Sequence, residues 1–427
     1  MRILVVGSGG REHALAHAIA RSPLVDEVIC APGSDGMRGV ARSVPVDIAD
    51  LDAIVRIALG SDDATTHADL VVVGPEAPLA AGLADRLTEA GVTVFGPSAL
   101  AARLESSKSF SKAFMQRHGV PTADYRVFDD ASAAEAYVEQ RGGPCVVKAD
   151  GLTAGKGVTM CPDPAAARAA IGEIMRDRRF GSAGGSIVIE DWLRGPEVSY
   201  YVASDGERFE RLGSVQDFKR ALDGDRGENT GGMGAYSPVP FVDAALERKI
   251  LDRVVRPTLE GMRAEGHPYR GVLYVGLMIC DGEPLVIEFN SRFGDPETQA
   301  LLFRMKSDLV PILLASAQGK LSEGGEPIEF GDPTVCVCVA SEGYPRAYPK
   351  GVPIERLDEV AALADTVVFH AGTRWADDRW LTNGGRVVAV TARGATIALA
   401  RERAYVAAQR IAWPGAQFRS DVASKYG

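Results

Sequence analysis

The sequence has no long hydrophobic run and no excess of positive charge. None of its apolar stretches approaches the roughly 20 residues that a membrane-spanning helix requires. Lys and Arg number 47 against 57 Asp and Glu, which gives a net charge of −10. A broad nucleic-acid-binding surface needs a basic face. We therefore expect neither a membrane partner nor a nucleic-acid partner, although the charge balance leaves room for a local basic pocket.

Cysteine is also sparse, and its six residues are not arranged as a metal site requires. Cys336 and Cys338 alternate in a predicted strand and so face the same side, but the sequence has no CxxC pair and no His lies near them. Residues 1–7 are typical of a short strand that enters a glycine turn, not of a signal peptide. We expect a protein of the reducing cytoplasm.

Glycine, by contrast, is abundant, with 47 residues that cluster in short loops after apolar, β-rich runs. The length of 427 residues suggests about three domains. In the first hundred residues, predicted strands at 3–6, 27–30, 70–73 and 92–95 alternate with helices near 11–20 and at 51–59. This alternation predicts an α/β domain with a doubly wound parallel sheet. Ligands of such sheets bind beyond the carboxyl ends of the strands, where the glycine loops lie.

The first glycine loop, Gly7-Ser8-Gly9-Gly10-Arg11-Glu12, has some features of a dinucleotide-binding turn. However, Glu12 stands where the third glycine is expected, and the second strand ends at Ala31-Pro32-Gly33 without the usual acidic residue. The backbone N–H groups of a helix start, together with Arg11, favour the phosphate of a sugar phosphate. The alternative is a tight turn with a surface arginine. Gly74-Pro75-Glu76 follows the next strand along the same edge.

The second glycine loop runs from Lys148 to Gly157 and is too short between its glycines for a Walker A motif. It is typical of a β-loop-β flap over phosphates, with Lys148 reaching in from the strand; a lysine that merely extends from a sheet edge is the alternative. A further strand near 186–190 runs into a connector whose backbone could bind an adenine edge. Glu197 follows that connector and could accept ribose hydroxyls.

A candidate metal pair lies in the strand predicted at 285–290. Strict alternation would place Leu285, Ile287 and Phe289 on one face and Glu288 and Asn290 on the other. A carboxylate and an amide oxygen on one face suit a hard cation such as Mg²⁺. A solvated strand face would show the same alternation, but the charged stretch 291–297 that follows favours a site.

Several distinctive segments are spread along the whole chain: 9–14, 73–79, 148–151 with 154–157, 229–238, 287–290 with 292–299, and 382–386. With these segments the chain resembles the glycinamide ribonucleotide synthetases, a family of ATP-grasp ligases in purine synthesis. The resemblance implies a pre-ATP-grasp domain at 1–102, an ATP-grasp domain at 103–326 with a mobile lid at about 125–193, and a small α+β domain at 327–427. It also implies ATP, Mg²⁺ (or Mn²⁺), glycine and 5-phosphoribosylamine as ligands, and we expect a monomer or weak dimer.

The same resemblance implies roles for individual residues. The metal ligands are Glu288 and Asn290. The ATP-binding residues are Lys108, Lys148, Gly155, Lys156, Gly157, Glu190, Asp191, Leu193 and Glu197. The substrate-binding residues are Gly9, Gly10, Arg11, Glu12, Gly74, Pro75, Glu76, Gly232, Met233, Gly294, Asp295 and Pro296. The catalytic residues are Lys148, Asp217, Lys219, Arg292 and Asp295. The chain departs from the family pattern at Phe218, where members have His, and at Ser291.

Three other functions compete with this interpretation. The nearest is another ATP-grasp ligase that joins a different acid to a phosphosugar amine. A nicotinamide-dependent oxidoreductase is disfavoured by Glu12 and by the missing acidic residue after the second strand. A non-catalytic nucleotide-binding regulator would be expected to lack Glu288, Asn290 or Arg292, and all three are present.

Overall fold

Residues 2–95 form a five-stranded parallel sheet, as the alternating sequence pattern predicts. The computed structural model describes residues 1–153, 155–322 and 327–426; Ala154 of the second glycine loop and the predicted domain end at 326 lie outside these residues. The sheet order is β3-β2-β1-β4-β5. The elements are β1 Arg2–Gly7, α1 Gly10–Ile19, β2 Glu27–Pro32, β3 Arg42–Ser43, α2 Leu51–Leu59, β4 Leu70–Val73, α3 Glu76–Ala80, α4 Leu83–Glu89 and β5 Val94–Phe95.

Helices cover both faces of this sheet because its strands are apolar on both sides. In β1, Ile3 and Val5 pack with α1, whereas Leu4 and Val6 pack with α2 and α4. Such two-sided burial is typical of parallel sheets. The carboxyl ends of β1 and β4 therefore bring the loops after Gly7 and Val73 to one edge of the sheet.

The second part of the chain contains a four-stranded antiparallel sheet in the order β6-β9-β7-β8. One face packs on α7 and α8, and the other face is turned toward the cavity described below. The elements of this part are α5 Arg103–Ser106, α6 Lys108–Arg117, β6 Tyr125–Phe128, α7 Ala131–Arg141, β7 Cys145–Ala149, β8 Val158–Cys161, α8 Pro164–Ile171 and β9 Ile187–Asp191. The predicted β-loop-β arrangement of the second glycine loop is confirmed, since β7 and β8 form a hairpin around it.

The rest of the chain builds an eight-stranded antiparallel sheet in the order β16-β15-β10-β11-β14-β17-β21-β18. Its first elements are β10 Glu197–Asp205, β11 Phe209–Asp217, β12 Arg220–Leu222, β13 Arg226–Asn229, β14 Gly234–Ser237, α9 Ala244–Ile250, α10 Arg256–Ala264, β15 Arg270–Cys280, β16 Glu283–Asn290, α11 Glu297–Arg304 and α12 Leu309–Ala317. The later elements are β17 Thr334–Ala340, α13 Leu357–Ala361, β18 Thr366–His370, β19 Thr373–Ala376, β20 Arg379–Thr382, β21 Arg386–Arg393 and α14 Ile397–Ala408. The small C-terminal domain thus continues the central sheet through β17. Among the described helices, none has the length and apolar character needed to cross a membrane.

Strand β17 is buried on both faces, which explains its uninterrupted apolar sequence. Val335, Val337 and Val339 enter one hydrophobic core, and Cys336 and Cys338 enter the core on the opposite face. The prediction that the two cysteines share a side is confirmed. Both are fully buried, as expected for cysteines that act as small hydrophobic residues.

The strict alternation predicted for β16 is wrong, because neither Leu285 nor Ile287 enters the core with Phe289. Glu288 pairs with Gly276 and Val286 pairs with Leu277, so Ile287 is an extra residue that forms a β-bulge. Because of this bulge, Val286 and Phe289 both enter the core, whereas Ile287 lines the cavity. Glu288 and Asn290, on the far side of the bulge, also line the cavity, as the sequence predicts.

Gly234 offers a test of the tight junction between β14, β17 and the segment around Val422. A Cβ atom at this position would lie 2.7 Å from both the Cys336 carbonyl oxygen and a Val422 methyl carbon. We expect Gly234→Ala to lower the free energy of unfolding by about 1–3 kcal/mol through overpacking. Gly39→Ala is the control, because a Cβ there meets no atom within 4 Å. Urea titrations that gave equal midpoints for the two variants would contradict this packing.

Candidate active site

A single large cavity of about 880 Å³ lies where the parallel sheet, the β7–β8 hairpin and the eight-stranded sheet meet. It brings together most of the charged residues that the sequence predicts. The predicted residues that line it are Arg11, Glu76, Lys108, Lys148, Gly155, Glu190, Asp191, Leu193, Glu197, Asp217, Lys219, Glu288, Asn290, Arg292 and Asp295. The predicted residues outside its lining are Gly9, Gly10, Glu12, Gly74, Pro75, Lys156, Gly157, Gly232, Met233, Gly294 and Pro296.

Two of the chain's own carboxylates bind N–H groups at the start of α1, where the sequence suggests a phosphate site. Glu12 accepts a hydrogen bond from the Gly9 N–H at 2.7 Å and forms an ion pair with Arg11 at 2.5 Å. Asp295 accepts from the Arg11 N–H at 3.3 Å. A Cβ at Gly74 would lie 2.2 Å from a Glu12 oxygen, so glycine there makes room for this buried side chain. These carboxylates also complement the helix dipole.

On another part of the cavity wall, the buried carboxylate of Glu190 is shared by two lysines. Glu190 contacts the Lys148 ammonium and the Lys112 ammonium, the latter at 2.5 Å, and all three side chains are at most 5% exposed. Burial alone would raise the pKa of Glu190, but the two lysines outweigh it and hold that pKa below its usual value. Lys148 also donates to the Ile287 carbonyl at 3.0 Å. The trio carries one net positive charge at the cavity wall.

The predicted metal pair fits a hard divalent cation. Burial raises the pKa of Glu288, but Lys108, Lys219 and Lys148 together outweigh it and bring the pKa to about 2. The carboxylate is therefore ionised at neutral pH, and Lys108 lies 3.6 Å from it. Together with the Asn290 amide it provides the oxygen donors that Mg²⁺ prefers. Within the described ranges no three His, Cys, Asp or Glu side chains group as metal ligands, so the remaining ligands would come from water and substrate.

Arg292 lies between two carboxylates from other parts of the chain. Its guanidinium is 3.1 Å from Glu76, which follows β4, and 3.1 Å from Glu105, which belongs to α5. Glu105 also accepts hydrogen bonds from the Ser291 N–H at 2.7 Å and the Ser291 hydroxyl at 2.8 Å. Burial alone would lower the pKa of Arg292, but Glu105, Glu76 and Glu297 outweigh it and raise the pKa above its usual value. The guanidinium therefore stays charged.

Another group of charges surrounds the end of β11. Burial raises the pKa of Asp217, and Lys219 lowers it, whereas Glu297 and Glu197 raise it. The net result is a pKa of about 7. Lys219 pairs with Glu197 at 3.4 Å. Desolvation alone would lower the pKa of Lys219, but Asp217 and Glu197 outweigh it and hold this pKa well above its usual value. Tyr274 donates to Glu297 at 2.9 Å. Asp217 is thus a carboxyl group that titrates near neutral pH inside a charged cavity.

The glycines that lie outside the cavity lining permit close packing behind it. A Cβ at Gly232 would lie 2.4 Å from the Pro296 ring, and a Cβ at Gly294 would lie 2.5 Å from the Tyr201 hydroxyl. Next to them, Arg386 donates to the Asp295 carbonyl at 2.6 Å and pairs with the Asp295 carboxylate at 3.4 Å. Burial raises the pKa of Asp295, but Arg386 and Arg11 lower it below its usual value.

Sequence reasoning missed four side chains that build the site. Glu297 and Arg386 lie within the segments that carry the resemblance, so their motifs contained the signal. Lys112 lies four residues after Lys108 on one helix, and that spacing places both on the same face. Glu105 shows no local signal, because only the tertiary structure brings it to Arg292 and Ser291.

Comparisons with known proteins give a consistent family. The models of the phosphoribosylglycinamide synthetase N domain, ATP-grasp (A) domain and C domain match residues 1–105, 106–298 and 334–425. The chain is 49% identical to a phosphoribosylamine–glycine ligase of Caulobacter vibrioides, covering 99% of this chain and 97% of the relative. It is 46% identical to a protein of the same name from Pseudomonas aeruginosa, covering 99% of this chain and 97% of the relative.

Solved structures show the same relationship. The structure of a phosphoribosylamine–glycine ligase from Thermotoga maritima matches with a TM-score of 0.83 and 32% identity, covering 99% of this chain and all of the other. A biotin carboxylase from Campylobacter jejuni matches with a TM-score of 0.75 at 15% identity, covering 100% and 98%, which shows the shared fold. The chain therefore belongs to the phosphoribosylglycinamide synthetase family of ATP-grasp ligases.

Proposed function

We propose that this protein joins glycine to 5-phosphoribosylamine with the cleavage of ATP to ADP and phosphate, in de novo purine biosynthesis. One observation carries the proposal: a single cavity connects the Glu288–Asn290 pair to Glu76 at the edge of the parallel sheet, with Arg292 between them. A nucleotide and a small acid could therefore meet a phosphosugar amine in one cavity. The names of the full-length relatives agree with this chemistry.

The nucleotide would lie under the four-stranded sheet. Lys108, Lys148 and the glycine loop with Gly155, Lys156 and Gly157 would hold its phosphates. The segment from Glu190 to Leu193, including Asp191, would line the adenine, and Glu197 would accept the ribose hydroxyls. The apolar side chains of Val146, Met160 and Met278 on the cavity wall support an aromatic base at this end. Glu288 and Asn290 would hold Mg²⁺ or Mn²⁺, which neutralises phosphate charge when bound.

The first chemical step would be phosphoryl transfer. An oxygen of the glycine carboxylate attacks the γ-phosphorus, the bond to the bridging oxygen breaks, and ADP leaves with glycyl phosphate formed. Such transfers need positioning and charge stabilisation rather than covalent help from the protein. Lys108, Lys148 and Arg292 supply fixed positive charge for that purpose, because each is already held by a carboxylate or a carbonyl.

The second step would be attack of the amine on the glycyl carbonyl. The C–N bond forms, phosphate leaves, and the nitrogen loses a proton. Asp217 is suited to accept that proton, because its pKa of about 7 is close to the working pH of such an enzyme. Lys219 beside it would stabilise the negative charge that develops, and Arg11, Glu76 and Asp295 would contact the phosphosugar amine.

A lid that excludes water would protect the acyl phosphate. We assign this role to the residues at about 125–193. They belong to the second of three proposed domains, which comprise residues 1–102, 103–326 and 327–427. A contact of the Lys156 ammonium with the Pro345 carbonyl at 3.4 Å supports this assignment, because it joins the glycine loop to the C-terminal domain. The protein would act in the cytoplasm as a monomer or weak dimer. The alternative, a ligase for another acid, is decided by substrate omission.

The proposed function predicts that ADP forms only when Mg²⁺, ATP, glycine and phosphoribosylamine are all present. The amine can be made in situ from ribose 5-phosphate and ammonia. Glu288→Gln should lower this turnover at least about 100-fold, a typical loss when a charge that stabilises the transition state is removed. Glu283→Gln is the matched control, because Glu283 lies on the same strand but pairs with Lys249 on the surface. ADP formation without glycine, or with a different acid, would contradict the named substrate.

The assignment of Asp217 predicts a particular pH profile. Below a pH of about 7 the carboxyl is protonated and cannot accept the amine proton, so kcat/KM for the amine should rise with pH through about 7. Asp217→Asn should lower the plateau roughly 100-fold and remove this part of the rise, within the range of general-base effects. Measuring both proteins with the same amine corrects for the ionisation of the amine itself. An unchanged inflection in the variant would rule out this role.

A further inference from the structure

The segment 419–426 reaches the active-site cavity although it lies more than 120 residues beyond the metal pair in the sequence. Arg419, Asp421 and 423–426 line the cavity beside Phe218, Lys219 and Tyr236. The segment also enters the core through Val422, which packs against Gly234 of β14. None of its residues is among the predicted site residues, and its only regular structure is a short 3-10 helix at Ser424–Tyr426.

Arg419 is the largest fully buried side chain in the described part of the chain, with 1% exposure. Its guanidinium donates to the Arg220 carbonyl at 3.1 Å and to the Asp225 carboxylate at 2.9 Å. Both oxygens of Asp421 accept further hydrogen bonds from it at 2.7 Å. The same guanidinium lies over the Phe218 ring at 4.9 Å. A planar donor with this many partners fixes the position of what it contacts.

The contacts of Arg419 and its neighbours converge on the β12–β13 hairpin. Ser420 donates its N–H to Asp223 at 2.8 Å, and Asp421 accepts from the Gly224 N–H at 2.8 Å. Together with the Arg419 contacts, these bonds hold the hairpin along its first strand and its turn. A two-stranded hairpin of this size is marginally stable by itself, so its position depends on such external contacts.

That hairpin begins immediately after Lys219 and leads into the polar loop at Thr230. The Thr230 N–H and hydroxyl both donate to the Lys219 carbonyl at 2.8 Å. The backbone of Lys219 is thus held by Thr230, while its neighbour Arg220 is held by Arg419. Movement of the hairpin would carry Lys219 away from Asp217 and Glu197, whose charges it balances.

The end of the segment lies against Tyr236 in the wall of the cavity. The Tyr426 ring is 5.5 Å from the Tyr236 ring. The Tyr236 hydroxyl donates to Gln216 at 2.5 Å, and the Gln216 amide donates to the Glu197 carbonyl at 2.6 Å. This chain of contacts connects Tyr426 to the residue to which we assign the ribose.

We propose that segment 419–426 is a positioning element of the ligase site: Arg419 fixes the hairpin that orients Lys219, and Tyr426 completes the nucleotide wall. This inference rests on the proposed function. It assigns two separable effects to two residues. Loss of the Arg419 contacts alters the chemical step, whereas loss of the Tyr426 ring alters nucleotide binding.

The test compares Arg419→Ala, Arg419→Lys, Tyr426→Ala and Tyr426→Phe with the parent protein. Arg419→Ala should lower kcat about 30-fold or more with a smaller change in KM for ATP, the pattern of a contribution made in the transition state. Arg419→Lys retains the charge, but a lysine cannot contact all the partners of Arg419 at once. Its kcat should therefore lie between that of the parent protein and that of Arg419→Ala. It also keeps the test decisive if the alanine variant fails to fold.

Tyr426→Ala should weaken MgATP binding about tenfold in calorimetry with kcat nearly unchanged, and Tyr426→Phe should restore binding because the ring, not the hydroxyl, makes the wall. Arg403→Ala is the matched control, because Arg403 belongs to the same domain and pairs with Asp365 away from the cavity. Kinetics and affinities of the Arg419 and Tyr426 variants equal to those of this control would overturn the proposal. If the parent shows no glycine-dependent turnover, the proposed function fails, while the MgATP affinities of the Tyr426 variants still decide the role of the segment.

Discussion

The buried carboxylate of Glu190, shared between Lys112 and Lys148, is the interaction on which the arrangement of the cavity depends. Removing a single partner from such a cluster would leave an uncompensated charge in a dry environment, which costs several kcal/mol. The same constraint recurs across the boundaries of the fold. Arg292 binds Glu76 and Glu105, Arg386 binds Asp295, and Lys148 donates to the Ile287 carbonyl. The ion pairs and hydrogen bonds of these buried charges therefore connect the parallel sheet, the four-stranded sheet and the eight-stranded sheet at one place.

This design has a consequence for catalysis. Cations that already have fixed partners need little reorganisation when phosphate charge develops beside them, and that preorganisation is the main source of electrostatic catalysis. The cavity also separates two kinds of carboxylate. Glu288 is held ionised with a pKa of about 2 by the surrounding lysines, whereas burial raises the pKa of Asp217 to about 7. One carboxylate is suited to binding a cation and the other to accepting a proton.

Much of the fold and of the charged lining could be predicted from the sequence, because both depend on local patterns. The strands around Leu4 and Val72 alternate with helices, and the glycine-rich loop that follows Lys148 predicts the β7–β8 hairpin that lines the cavity. The parts that could not be predicted depend on contacts between distant segments. The bulge at Ile287 changes the register only because β15 pairs with β16 as it does. The carboxylates of Glu12 and Asp295 bind the start of α1 because the tertiary fold brings Asp295 there. The role of Arg419 likewise depends on a hairpin almost 200 residues earlier in the chain.

The proposed reaction can be tested most directly by following the carboxylate oxygens of glycine. We propose that glycine attacks the γ-phosphorus in this cavity before the amine attacks the glycyl carbonyl. With glycine labelled by ¹⁸O in both carboxylate oxygens, we expect one labelled oxygen in every molecule of inorganic phosphate released, as measured by mass spectrometry. Phosphate that contains no label would contradict the transfer of the γ-phosphoryl group to glycine and with it the proposed reaction.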